Sequence, residues 1–238
     1  MAVCSRTKFF LLLSVVVSSF MCAAAMADGM EPETTVIVLN ETDGEASINV
    51  KNTDLTPALL HSAIEDIPED AEPLVIITPP VARVNAGERQ MVRFLFVGKE
   101  PLKTQRLKRA TFEGIPQAKS ASGATIGISL RQNLPLILHP EGLPLHNAPW
   151  ELLTWHLLGK TLSVRNNSAY VVRLSDEVVL SPRARKVYLP RTYVLPGETL
   201  SVTMDSAPIG STSVSISPAT VYGFTVEKYD AQIIASAP

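Results

Sequence analysis

The stretch Ile77-Thr78-Pro79-Pro80-Val81-Ala82-Arg83-Val84, with Gln90-Met91-Val92-Arg93 a few residues on, decides how the rest of the chain reads. Leu74-Val75-Ile76-Ile77 is a short apolar run, halted by two consecutive prolines. Proline cannot donate to a strand ladder, so the strand ends there. Asn85-Ala86-Gly87 supplies a turn, and Met91-Val92-Arg93-Phe94-Leu95-Phe96 is the next strand. No window of helical length shows a clean apolar stripe at period 3.6.

The same tempo holds on both sides. Upstream, Thr34-Thr35-Val36-Ile37-Val38-Leu39 is short and β-branched, and Ala46-Ser47-Ile48-Asn49-Val50 alternates with period two. Downstream, Ile126-Gly127-Ile128-Ser129-Leu130 alternates again. Breakers recur at spacings of about ten residues, which predicts a β-sandwich. Pro140-Glu141-Gly142-Leu143-Pro144 reads as a linker. Beyond it the pattern restarts with Thr161-Leu162-Ser163-Val164, Tyr170-Val171-Val172-Arg173-Leu174, Ser213-Val214-Ser215-Ile216 and Tyr222-Gly223-Phe224-Thr225-Val226. The residues alone predict an all-β chain with domains at 28–140 and 141–238.

Residues 1–27 read as a cleavable export signal. Arg6 and Lys8 precede an apolar run at 9–20, and Ala25-Met26-Ala27 is an A-x-A-type cleavage site. The run is short for a membrane span, which needs about 20 residues. An uncleaved anchor and lipid attachment at Cys22 are the competing readings. Both cysteines, Cys4 and Cys22, fall in this segment, so the exported chain forms no disulfide. What is left keeps 19 of the 21 Lys and Arg against all 23 Asp and Glu. A net acidic chain carries no nucleic-acid footprint.

Reaction chemistry is not written in this sequence. His61, His139, His146 and His156 lack metal-ligand spacing, and no G-x-S-x-G elbow or Gly-rich phosphate loop occurs. No metal, cofactor or enzymatic activity is expected. Glu65-Asp66 and Glu69-Asp70 read as turn-forming acids, and Trp150 and Trp155 as core or junction residues.

The ordered motifs resemble the PapD-like periplasmic chaperones of chaperone–usher pilus systems. Besides the opening stretch, the similar segments are Asn52, Pro57-Ala58-Leu59-Leu60-His61-Ser62-Ala63-Ile64-Glu65-Asp66, Phe112-Glu113-Gly114-Ile115-Pro116 and Val164-Arg165-Asn166-Asn167-Ser168-Ala169-Tyr170. The resemblance spans essentially all of the exported chain. It implies two immunoglobulin-like β-sandwich domains in an L- or boomerang-shaped arrangement. It implies a periplasmic protein that binds pilus subunits by donor-strand complementation and delivers them to an outer-membrane usher. The competing reading is a structural or adhesive envelope protein of the same fold.

In such a mechanism the last strand of the first domain completes the subunit's sheet. That strand is expected at about 125–138. Ile126, Ile128 and Leu130 share one face and match the family's donor positions. Burying all three stabilises by roughly 5–9 kcal/mol before ordering costs. An open apolar edge also invites self-capping as a homodimer.

The sequence departs from the family at the subunit anchor. An Arg and a Lys there bind the subunit's terminal carboxylate, but Val36 and Pro135 stand at those positions. The family's cleft ion network would have an Arg where His139 stands and an Asp where Val221 stands. Arg131 and His139 are the candidate replacements. The short segment between Pro116 and Ile126 resembles the class that serves rod-like pili.

Overall fold

The computed structural model describes residues 29–116, 130–220 and 226–235. Ile126, Ile128, the segment 117–129, Val221 and the export segment lie outside them.

The first domain is built from nine strands: β1 (Met30–Pro32), β2 (Ile37–Asn40), β3 (Glu45–Asn52), β4 (Ala58–Glu65), β5 (Val75–Thr78), β6 (Val81–Val84), β7 (Arg89–Phe96), β8 (Arg106–Pro116) and β9 (Arg131–His139). They form two sheets in the orders β1-β3-β7-β5 and β2-β9-β8-β4-β6. The sequence stretch that opened the reading falls at the seam. β5 belongs to one sheet and β6 to the other, with Pro79 and Pro80 between them. The expected single strand at 34–39 is instead a sheet switch. β1 pairs antiparallel with β3, and after 33–36 the chain resumes as β2, parallel to β9.

The side chains follow the period of two. Ile48, Val50, Val92 and Phe94 from one sheet meet Leu60, Ala110, Phe112, Leu134, Leu136 and Leu138 from the other. Phe94 and Phe112 meet edge to face at 6.4 Å. Alternate residues of β8 and β9 point away from this core.

The second domain comprises β10 (Leu153–Leu158), β11 (Thr161–Asn166), β12 (Val172–Leu174), β13 (Glu177–Ser181), β14 (Arg185–Tyr188), β15 (Tyr193–Val194), β16 (Thr199–Thr203), β17 (Ser213–Ile216), β18 (Pro218–Ala219) and β19 (Tyr229–Ala235). Its sheets run β14-β13-β17-β19-β10-β11-β16 and β15-β12-β18. Trp150 and Trp155 are both in its core.

Each domain is clasped by a fully buried asparagine. Asn52 Nδ2 donates to the carbonyls of Thr56 and Val84, and its Oδ1 accepts from the Asp54 amide. Asn166 Nδ2 donates to Tyr170 and Val194, and its Oδ1 accepts from Ser168. The backbone repeats the pattern. Gly87 N donates to Asn52 O and Asn52 N to Glu88 O, as Gly197 N does to Asn166 O and Asn166 N to Glu198 O. Both glycines sit at φ 75°, where a Cβ would be strained.

Candidate functional site

β9 is paired on one side along nearly its whole length and on the other only in its second half. Antiparallel pairing with β8 runs from Glu113↔Arg131 to Arg106↔Leu138. Parallel pairing with β2 begins only at Ile37↔Leu136. Residues 131–135 therefore present a sheet edge with no strand on it among the described residues. Unpaired backbone groups on an extended edge are a template for another strand.

The side-chain row on this strand outruns its own core. Leu138 and Leu136 are fully buried and Leu134 is 7% exposed, yet Leu130, in the same alternating row, is 47% exposed. Leu130 thus leaves about half of its apolar surface to solvent, where the other leucines of the row leave almost none.

Arg131 and His139 both already have partners. Arg131 is ion-paired with Glu65 and also donates to Thr111 Oγ1 at 3.2 Å. His139 is buried, with Gln105 Nε2 at 2.9 Å from its Nδ1 and the Leu143 carbonyl at 2.9 Å from its Nε2. Gln105 Oε1 accepts the Val171 amide, so its amide nitrogen faces His139 Nδ1, which must accept. The imidazole proton then sits on Nε2 and is donated to Leu143. This is a neutral chain of hydrogen bonds where the family pattern leads one to expect ions. It crosses the junction, because Gln105 N also donates to Ala169 O of the second domain.

The junction itself is apolar. Val36, Ile67, Leu107, Ile137 and Val171 form one buried cluster, joined by Val38, Tyr193 and Leu195. Val36, which stands where the family carries its arginine, is 5% exposed. Pro135 is buried as well. Neither position leaves room for a cation. At the rim, Tyr193 Oη donates to Glu69, which is also ion-paired with Arg191.

The acids at 65–72 do more than turn the chain. Lys108, with 1% of its side chain exposed, donates to Asp66 Oδ1, the Asp70 carbonyl and Asp70 Oδ1 at 2.7, 2.7 and 3.1 Å. Arg106 closes on Asp70 and Glu72. Burial alone would raise the Asp70 pKa. Hydrogen bonds from Arg106 and Lys108 and the charge of Lys108 outweigh it and hold the carboxyl below its ordinary value. This network fixes the loop that carries Ile67 into the junction. No set of three or more His, Cys, Asp or Glu among the described residues is placed to hold a metal.

Two sandwiches, one with an uncovered edge beside an apolar junction, define a class of two-domain immunoglobulin-like proteins. The family model for the pili and flagellar-assembly chaperone PapD N-terminal domain matches residues 29–144, and that for the pili assembly chaperone PapD C-terminal domain matches residues 148–229. The chain is 40% identical over 205 residues to the uncharacterized fimbrial chaperone YhcA of Escherichia coli K12, covering 86% of this chain and 90% of that one. It is 26% identical to an Escherichia coli chaperone protein CssC, over 72% of this chain and 76% of that one. The fold matches the Salmonella enterica SafA pilin–SafB chaperone complex with TM-score 0.71 at 17% identity, covering 88% of this chain and 98% of that chain. It matches the Pseudomonas aeruginosa CupB2 chaperone with TM-score 0.67 at 22% identity, covering 85% and 100%. The chain belongs to the PapD-like family of fimbrial, or pilus-assembly, chaperones, and that assignment implies a non-enzymatic role.

Proposed function

We propose that this chain is exported to the periplasm by residues 1–27 and there binds pilus subunits one to one by strand donation. Its two domains divide at about residue 140, as the linker sequence suggests. The observation that carries the reading is the uncovered edge at residues 131–135, continuous with the exposed Leu130. A subunit that lacks a strand pairs with this edge through its main chain. Its open groove takes Leu130, and Ile128 and Ile126 continue the row. Held this way the subunit stays soluble until it passes to an outer-membrane usher.

The test is co-expression of the tagged chain with pilus subunits encoded in the same gene cluster, followed by native mass spectrometry of the periplasmic fraction. A one-to-one complex that is lost in Leu130→Glu, with the variant still folded, supports the reading. A folded Leu130→Glu that still protects the subunit overturns it. Subunits that are equally stable without the chain favour an envelope structural role instead.

A further inference from the structure

Ile126, Ile128, Leu130, Gln132, Leu134, Leu136 and Leu138 alternate along the end of the first domain, and one of the seven is polar. A one-residue slip in pairing turns such a row to the wrong side and is strongly penalised. A slip of two keeps every side chain on its face and sets Leu or Ile where Leu or Ile stood. Apolar burial scarcely tells those two alignments apart. The uncovered edge at residues 131–135 leaves room for the slide, so β2 does not by itself fix the alignment. A residue of different chemistry within the row does, as a lone buried asparagine fixes the register of a coiled coil.

Gln132 is placed to be that residue. It lies opposite the fully buried Phe112 on β8, between Leu134, which its own core covers, and Leu130, which is half exposed. Gln132 is itself half-buried. β9 carries four polar side chains, and three of them are held. Arg131 is paired with Glu65 and donates to Thr111, Asn133 Oδ1 accepts from Arg109 Nε at 2.7 Å, and His139 has Gln105 and Leu143. Gln132 has no side-chain partner among the described residues, so its amide is left to solvent. A leucine here would continue the row and bury more apolar surface. The chain instead sets an amide at the seam between the row its own core uses and the row it leaves open.

We propose that Gln132 sets the register in which a pilus subunit takes up β9. The inference rests on the strand-donation reading and adds an alignment to it. In the correct register Leu130 is the last side chain of the row to enter the subunit's groove, and Gln132 stays at the groove's mouth with its amide in water. Sliding the subunit two residues towards the C-terminal end of β9 carries that amide into an apolar groove, where it loses water and finds no partner. The cost disfavours the slipped alignment about 10- to 100-fold. Sliding the other way withdraws Leu130 from the groove and gives up its burial.

The test is disulfide mapping, to which the chain is suited because it has no cysteine after Cys22. Leu130→Cys is co-expressed with forms of the pilus subunit encoded beside this chain, each carrying one introduced cysteine along its groove. Cross-linked one-to-one complexes are measured by mass spectrometry. With Gln132 in place, one groove position should trap the introduced thiol, and the position two residues away should be trapped at least about tenfold less. Gln132→Leu should bring the two positions to comparable yield, and Gln132→Asn, which keeps an amide, should restore the single position. Both changes fall at a half-buried side chain with no hydrogen bond to lose, and a retained one-to-one complex shows that the variants fold. A role in folding alone would leave the trapped position where it was. If Gln132→Leu is trapped only where the unsubstituted Gln132 chain is, or if that chain is trapped equally at both positions, the register role is overturned and strand donation stands without it. If the thiol at position 130 reaches no groove position while the one-to-one complex persists, the strand-donation reading falls and takes this role with it.

Discussion

Strands β9 and β19 hold similar places in their two domains, and the difference between them is what the proposed function rests on. Each is the last strand of its sandwich, and each lies parallel to a strand from the start of that domain, β2 or β10. Each sends an alternating row inward. In the second domain that row reads Ile233, Ala231, Tyr229, all packed on its own core, and then meets Glu227. In the first domain it reads Leu138, Leu136, Leu134, skips Gln132, and resumes with the exposed Leu130. The two sandwiches differ in strand order but share the parallel pairing of an early and a last strand and an asparagine clasp. On the strand-donation proposal, a last strand can donate when its apolar row is longer than the core it serves.

The largest effect should come from changing that row. Leu130→Glu puts a charge into the partner's apolar groove and should cost at least about a thousandfold in subunit affinity. Ile234→Glu, at a comparably exposed apolar position on β19, should leave subunit recovery unchanged. Co-purification of both variants with one subunit checks the pair. Equal loss from both would erase the contrast between the strands.

The clasps test what the domains share. Asn52→Ala strands two buried carbonyls and an amide, and Asn166→Ala does the same. Each should lower stability by about 2–4 kcal/mol in urea titration. A large loss from one and none from the other would mean the clasps are not equivalent.

The charge network at Lys108 belongs to the first domain alone. Asp70→Asn weakens the support of a buried ammonium that retains Asp66 and a carbonyl, and should cost about 2–3 kcal/mol. Because the folded carboxyl titrates below its ordinary value of 3.8, it contributes stability above about pH 4. That contribution is lost as pH falls through the folded pKa. Acid melts should show the first domain losing stability below about pH 4, with the dependence reduced in Asp70→Asn. A smaller effect, about 1–2 kcal/mol, is expected for Gln105→Ala, which removes the hydrogen bonds to Val171 and His139.

Much of this was legible beforehand because β patterns are local. Period two reads Ile126, Ile128 and Leu130 as one row, of which the structure describes Leu130 alone, and Pro79-Pro80 marked the end of β5. What the sequence hid depends on partners far along the chain. Asn52 reaches Val84, Lys108 reaches Asp66 and Asp70, and Gln105 reaches across to Val171. The sheet switch at 33–36 was missed because Thr34-Thr35-Val36 is β-branched and runs straight into β2, so that switch and strand read as one strand. Arg131 and His139 drew attention by their nearness to the donor segment.

Amide hydrogen exchange on the free chain and on its one-to-one subunit complex tests the central claim most directly. Binding should protect the backbone at residues 130–134 strongly and leave residues 229–232 of β19 unchanged. Protection confined to the second domain, or none at residues 130–134 in a complex that mass spectrometry shows intact, would contradict strand donation through β9.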